Sequence, residues 1–481
     1  MATITSLGVG SGLDLNTIVT QLVALEKRPL QAMQTQAGTL NSQISLYGQV
    51  NSLFSSMQTA AQKLTGNTLW QASSVTSGDS GTVVVSGGDG AAVGSYAVTV
   101  EALAGNQTVA QNTPLAAATD LVGQGTLTLQ LGSWDAGQAN FTGKPSTSAV
   151  SISVSATDTL ADLRDKINGV GAGVTASLVT DATGVRLALR SNDSGAANGF
   201  RLSVDDVDHS LIDGAGLSRF AFDPPATTSG LVLKSSGSNA RATVNGIAVE
   251  SATNDVTGAV DGVTLNLRKT TATPVNVAVS RDTSTISAGI KSFVDAYNAL
   301  AGYLSTQTKY DAASKTGGPL QGDSTATSLQ SQLRSVLNTP SGASSLYGHL
   351  SDLGLQSQRD GTLTMDATKL GSALNTHLDE VRKAFANSDT GTTSNNGFAR
   401  RYDTLASQAL GVDGTVTTRT AGLQKLVQLN SEAQDKLSAR VDLFQQRLIA
   451  QYTALDANVA KLNALQSYVT QQIAQMNKST A

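Results

Sequence analysis

The densest gathering of carboxylates beside an imidazole in this chain is Asp205-Asp206-Val207-Asp208-His209. Such groups are the raw material of a cation site. The segment nevertheless lacks the alternating oxygen donors and the central glycine of a calcium loop, so it reads as a solvated β-turn. The three histidines, His209, His349 and His377, lie far apart in sequence. His377-Leu378-Asp379-Glu380 does not follow the His-Glu-x-x-His pattern of a zinc helix and reads as a helix surface. Gly8-Val9-Gly10-Ser11-Gly12 has glycines like those of a dinucleotide loop, but only seven residues precede Gly8, too few for the strand such a loop needs. Gly318 to Ser324 lacks the Gly-Lys-Ser/Thr of a phosphate loop and is expected to lead into a helix N-cap. There are no cysteines, which removes thiolate nucleophiles, disulfides and Cys-based zinc sites. No Gly-x-Ser-x-Gly elbow occurs. The expectation is a non-enzyme with no cofactor, no metal and no catalytic residue.

Composition points the same way. Of 481 residues, 40% are hydrophobic, but only 4% are aromatic and 14% charged. That mixture favours short strands, turns and small-residue helix seams over one thick core, and the length has room for about three domains. Net charge is −4 with no Lys/Arg block, so no nucleic-acid partner is expected. No run of 18 or more apolar residues exists, so no membrane insertion is expected. The N-terminus lacks a basic region followed by an apolar one, which implies that any export proceeds without a cleaved signal.

The elements follow a helix, β, helix order. Residues 1–12 are Gly/Ser-rich and are expected to lack independent order. Asp14 or Asn16 then caps a helix with apolar positions Leu15, Ile18, Leu22 and Leu25, which Pro29 ends or kinks. A second helix carries Met33, Ala37, Leu40, Ile44, Tyr47, Asn51 and Phe54. Near the other end a stripe runs Leu423, Leu426, Asn430, Ala433, Leu437, Val441, Phe444, Leu448, Tyr452, Leu455, Val459, Leu462, Leu465, Val469, Ile473, Met476. Its mean step is about 3.5 residues, the coiled-coil period. Neither terminal stripe can bury itself, so the simplest solution pairs the two ends.

Between them the pattern alternates. Strands are expected at 82–85, 96–100, 127–131, 150–154, 175–179, 185–189, 242–244, 263–267 and 275–279, with Asn245-Gly246 as a hairpin turn. Thr159-Leu-Ala-Asp162 has capping-box form and opens a short helix through Ile167. Pro224-Pro225 reads as a domain-level hinge. Helical pattern returns at Ser284, with Ile290, Phe293, Val294, Tyr297, Leu300 and Leu304 on one face. More helices are expected at 324–337 and 376–386, and a strand pair at 353–358 and 362–365.

Several segments in combination resemble the flagellar filament cap family, also called flagellar hook-associated protein 2. They are Ser11 to Leu30 (SGLDLNTIVTQLVALEKRPL), Trp70-Gln71-Ala72, Gly262 to Leu267, Ser280 to Thr283, Phe293 to Asn298, Gly322-Asp-Ser324, Leu353-Gly354, Arg359 to Leu363 and Ser467 to Ile473. Thr159 to Ser191 resembles a β-rich module shared by flagellins and hook-associated proteins. The resemblance implies an α+β multidomain chain on a flagellin-like plan, with coiled-coil-like helical termini, an inner helical domain and inserted antiparallel β domains. It implies export through the flagellar type III apparatus with its chaperone, and residence at the extracellular tip of the flagellum. There a homo-oligomeric ring, commonly a pentamer, promotes flagellin assembly; some members also contact host surfaces.

The corresponding division is a terminal leg at 1–40, an inner helical domain at 41–72 and 284–435, an inner β domain at 73–120 and 238–283, an outer β domain at 121–237, and a C-terminal leg at 436–481. The expected partner interface is the terminal stripe: Ile18, Leu22, Leu25, Met33, Leu40, Phe444, Leu448, Leu455, Leu462, Val469 and Ile473. The competing expectation is that these residues pair within one subunit. Two other functions fit a helix, β, helix plan. One is a different flagellar axial protein, at the hook–filament junction or in the filament. The other is a secreted adhesin working through its outer β region.

Overall fold

The computed structural model describes residues 14–145, 147–207, 216–225, 230–313 and 315–479. The chain forms two compact units: Met1–Gly66 with Ser287–Ala481, and Asn67–Ile286, so the second is an insertion in the first. The helices are α1 (Leu15–Glu26), α2 (Arg28–Thr65), α3 (Asn67–Trp70), α4 (Leu160–Gly169), α5 (Thr283–Thr308), α6 (Ser324–Asn338), α7 (Ala367–Thr376), α8 (Leu378–Ala386), α9 (Phe398–Leu410) and α10 (Thr415–Ser479).

The inserted unit is antiparallel throughout and has two cores. The first packs a five-stranded sheet against a three-stranded one. Its strands are β1 (Ser73–Ser77), β2 (Val83–Gly87) and β3 (Gly94–Ala102), then, further along the chain, Ala240–Val244, Ile247–Ser251, Asp255–Val260, Val263–Leu267 and Val275–Arg281. Val83, Val98, Val100, Leu265 and Val277 are fully buried between the layers. Asn245 and Gly246 turn the hairpin with φ of 51° and 82°, the left-handed pair that a two-residue turn requires. The Asn245 side chain also accepts from Ala97 N–H at 2.8 Å.

The second core lies within residues 109–231 and gathers Leu127, Leu163, Leu187, Phe200, Leu202 and Phe220 around α4. Thr159 and Asp162 form the expected capping box, with Asp162 N–H donating to the Thr159 hydroxyl at 3.2 Å and Thr159 N–H to the Asp162 carboxylate at 2.9 Å.

Three expectations change here. Asp205 and Asp206 end a strand, Gly199–Asp206, and Asp206 is buried and accepts from Ser218 N–H, so they are not a solvated turn. Asp208 and His209 lie outside the described residues, as do Gly8 to Gly12 and the whole of 1–12. Pro224-Pro225 is flanked by Phe222 and Leu231 of one core, so it divides no units. The 242–279 stretch holds five strands rather than three. Ile247–Ser251 and Asp255–Val260 escape a hydrophobic reading because most of their side chains face solvent.

In the helical unit, Tyr47, Val50, Phe54, Met57, Ala61 and Leu64 of α2 are fully buried. They face a core to which α5 contributes Ile290, Phe293, Tyr297, Leu300 and Leu304, all fully buried as expected. α9 adds Phe398, Tyr402 and Ala406. The Tyr402 ring meets Phe293 at 5.3 Å and Tyr297 at 5.6 Å between centroids, and its hydroxyl donates to Leu333 C=O. The expected seam residue Asn51 is exposed; its neighbour Val50 is buried instead, because the inner face drifts by one residue over the helix. The expected 376–386 helix is α8, which begins at Leu378 just after His377, and α7 and α9 are additional.

Candidate assembly surface: the terminal helix pair

α2 and α10 run antiparallel, and their contact begins at a buried polar node. Asp323 caps α6, accepting from Thr325 N–H at 2.9 Å and Ala326 N–H at 3.2 Å. The same carboxylate accepts the Tyr47 hydroxyl at 2.7 Å and the Arg419 guanidinium at 2.8 Å. Burial alone pushes this carboxyl up. The bonds from Tyr47, Ala326 and Arg419 outweigh it, so the group sits below its ordinary value and stays ionised. Burial, then the Asp323 hydrogen bond, push the Tyr47 hydroxyl well up, so it remains a donor.

Beyond the node the seam becomes small and polar. Asn430 donates to the Gln36 side chain at 3.2 Å, with Met33 and Ala37 on one helix and Ala433 and Leu437 on the other half-buried around it. The N-terminal side of the pair then breaks at Lys27, between α2 and α1. Pro29 occupies the first turn of α2, where its missing N–H costs nothing. Glu26 accepts from Arg440 at 2.6 Å at this break. α1 starts from Asp14, whose carboxylate accepts Thr17 N–H at 3.0 Å, so of the two expected caps Asp14 is the one used.

α1 has two apolar faces. Leu15, Val19 and Val23 are buried, and the two valines form a cluster with Val441 and Leu448, joined by Leu437, Phe444 and Tyr452. Ile18, Leu22 and Leu25 are on the other face, 37%, 36% and 56% exposed. The expected single stripe Leu15, Ile18, Leu22, Leu25 is therefore two stripes, and the four-residue spacing Leu15, Val19, Val23 is the signal for the inner one.

The expected interface residues consequently divide. Leu40 and Leu448 are buried within the chain, and Met33 and Phe444 are half-buried in it. Leu455, Leu462, Val469 and Ile473 are exposed, as are Leu465, Tyr468 and Met476. α10 runs on past Tyr452 as a helix whose stripe is mostly exposed, with Val459 half-buried in it. On its inner half the stripe uses Val427, half-buried, where Leu426 was expected; Leu426 is 46% exposed. Arg419 lies four residues before the expected stripe and was not anticipated; the node becomes visible only once Tyr47 and Asp323 are brought together.

The segments read for chemistry take structural roles. Glu380, near the start of α8, accepts from Lys383, Ser344 and Ser345, and these bonds, Lys383 first, bring its carboxyl down to about 2. It ties the 344–345 loop to the helix. Among the described residues no group of three or more His, Cys, Asp or Glu is placed to hold a metal ion, and no helix is long and apolar enough to cross a membrane.

Comparison with known proteins places this architecture. Residues 11–107 match the family model described as flagellar hook-associated protein 2 N-terminus, and residues 237–464 match its C-terminus. Residues 140–193 match the flagellin hook IN motif. The chain is 32% identical to flagellar hook-associated protein 2 of Escherichia coli (strain K12) over 486 aligned residues, covering 98% of each. It is 31% identical to the Salmonella typhimurium protein of the same name, with both chains fully covered. The crystal structure of the flagellar cap protein FliD from Escherichia coli superposes with a TM-score of 0.61 at 29% identity, over 79% of this chain and 99% of that one.

Proposed function

This chain belongs to the flagellar hook-associated protein 2 family, and from that premise we propose how it works as the cap of the bacterial flagellar filament. It is a structural protein that holds the distal end of the filament and promotes flagellin polymerisation beneath it. Its working form is a homo-oligomeric ring, a pentamer, delivered by the flagellar type III apparatus and its chaperone without a cleaved signal. The terminal helix pair is the leg that meets flagellin and neighbouring subunits, through Ile18, Leu22 and Leu25 on α1 and Leu455, Leu462, Val469 and Ile473 on α10.

The observation that carries this reading is the change along one stripe. Val441 and Leu448 are 1% and 8% exposed, whereas Leu462 and Ile473 on the same helix are 64% and 54% exposed. An apolar helical seam that runs past its own partner is covered by other chains. The two separate β cores support the division into an inner domain (73–120 with 238–283) and an outer one (121–237), with 41–72 and 284–435 as the helical domain and 1–40 and 436–481 as legs.

The test is a strain lacking this gene, scored for motility, filament length and flagellin in the medium, and complemented with chains lacking residues 1–40. Short or absent filaments with flagellin lost to the medium are expected, and no rescue by the truncated chain. The truncated chain should still fold, since the buried seam of α2 from Tyr47 onward is intact. Normal filaments in the null strain overturn the cap function, and rescue by the truncated chain overturns the role of the leg.

A further inference from the structure

The polar contacts between the terminal helices are in step with one another. Eleven residues back along α2 from Tyr47 is Gln36, and eleven forward along α10 from Arg419 is Asn430. Ten further residues on each side are Glu26 and Arg440, across the break at Lys27. Eleven residues make three helical turns, about 16 Å. Each of the three levels is hydrogen-bonded: Tyr47 and Arg419 through Asp323, Gln36 with Asn430, and Glu26 with Arg440. We propose that these pairs form a polar ladder that fixes a single register for α1 and α2 against α10, with Asp323 as its anchoring rung.

The apolar seam sets that register only in part. Sliding α10 by seven in one direction still brings apolar residues, Phe444, Leu448, Leu455 and Val459, to the places of Leu437, Val441, Leu448 and Tyr452, although Gln434 and Gln451 then take the places of Val427 and Phe444. The rungs do not survive such a slide. Moved one way, Glu26 meets Arg447, but Gln36 meets Leu437 and Tyr47 meets Leu426. Moved the other way, Glu26 meets Ala433 and Gln36 meets Leu423. A slide by four pairs either Glu26 with Lys436 or Gln36 with Gln434, never both, and takes Arg419 away from Tyr47. Every alternative leaves at least two rungs unmatched.

The outer rungs are poor sources of stability. The Arg440 side chain is 70% exposed and Glu26 35%, so their ion pair is screened, and Gln36 with Asn430 is a neutral pair. What they supply is discrimination between registers, the best-attested use of polar groups in an apolar seam. The helix break at Lys27 explains the need. A continuous helix would transmit the register set at Asp323 to the tip, whereas a broken one needs a rung on each side.

The absence of cysteine makes the test direct. Val19→Cys with Leu448→Cys traps the observed register, since both side chains lie in one cluster. Val19→Cys with Leu455→Cys traps a heptad slide. In the otherwise unaltered full-length chain, oxidation should give the first product and almost none of the second. Adding Glu26→Gln, Gln36→Leu and Asn430→Leu should lower the ratio of observed to slid product by about tenfold or more. The thermal midpoint should be little changed, because Asn430 is only half-buried and Gln36 is exposed. An undiminished ratio overturns the ladder. Asp323→Asn, which keeps a cap acceptor but loses the charge, should shift the ratio in the same direction. A lower midpoint with an unchanged ratio would make Asp323 a cap alone. Trapping reads the register of the isolated protein, so its outcome is independent of whether that protein caps a filament.

Discussion

Asp323 takes four hydrogen bonds on a side chain that is 4% exposed: two from the first turn of α6, one from Tyr47 and one from Arg419. Asp323→Ala removes a cap and strands two donors in the core, and should destabilise the helical unit by about 2–4 kcal/mol in urea unfolding of the full chain. The pH dependence has a definite sign. The folded carboxyl is held below its ordinary value, so its contribution is complete above the unfolded value near 4 and is lost as pH falls through the folded one. Unfolding midpoints at pH 7 and at about pH 3 should therefore converge in Asp323→Asn relative to the parent; an equal acid loss in both proteins would show that the node does not titrate as argued. Gly246 offers a cleaner residue-scale test. Its φ is +82° and a Cβ there would meet nothing within 4 Å, so Gly246→Ala isolates backbone strain and should cost about 1 kcal/mol, read from amide exchange in the 240–251 hairpin.

For the elements, the outcome depends on how locally each is encoded. The capping box Thr159–Asp162 is spelled out in four residues and forms as read. Thr159→Ala should cost about 1 kcal/mol, visible as faster exchange in α4, while Thr159→Ser should restore most of it. The long stripe of α10 was legible because more than a dozen apolar residues repeat at one period. What the period does not reveal is where cover ends. Leu448 and Leu462 occupy equivalent positions in the repeat, and only the presence of α1 opposite one of them makes it core. Leu448→Ala should accordingly loosen α1 and the facing part of α10, by about 2–3 kcal/mol in local exchange, and leave the Tyr402 core untouched. α9 was missed because its inner face alternates large residues with alanines (Phe398, Tyr402, Leu405, Ala406, Ala409), which dilutes the hydrophobic signal. The strands Gly199–Asp206 and Leu231–Ser235 do carry a local signal, the alternation of Phe200, Leu202 and Val204 with polar residues and the run Leu231-Val232-Leu233, and pairing with distant strands completes them. The Tyr47–Asp323–Arg419 node could not be read from sequence at all, since its members are separated by 276 and 96 residues.

On the scale of the whole molecule, the residues that hold the fold and those proposed for assembly are different ones. The residues that hold the described fold together are buried within one chain. Leu462, Val469 and Ile473 touch none of that core and are 64%, 47% and 54% exposed. Replacing a solvent-facing apolar side chain by serine on a helix costs little, about 0.5 kcal/mol each, so the triple serine variant should melt within a few degrees of the parent. If the exposed stripe is the face that meets flagellin and neighbouring subunits, the same variant loses that contact at three positions. Each apolar side chain removed forfeits about 1.5–3 kcal/mol of burial in the assembled state. Filaments in a strain carrying the triple variant should then be short, with flagellin in the medium, although the purified protein folds normally. The paired variant Val19→Ser with Val441→Ser should behave in the opposite order, loosening the isolated helix pair first and losing filament growth as a consequence. Full-length filaments with the triple serine variant would mean that α10 beyond Tyr452 is dispensable, and would shift the working surface to Ile18, Leu22 and Leu25 on α1.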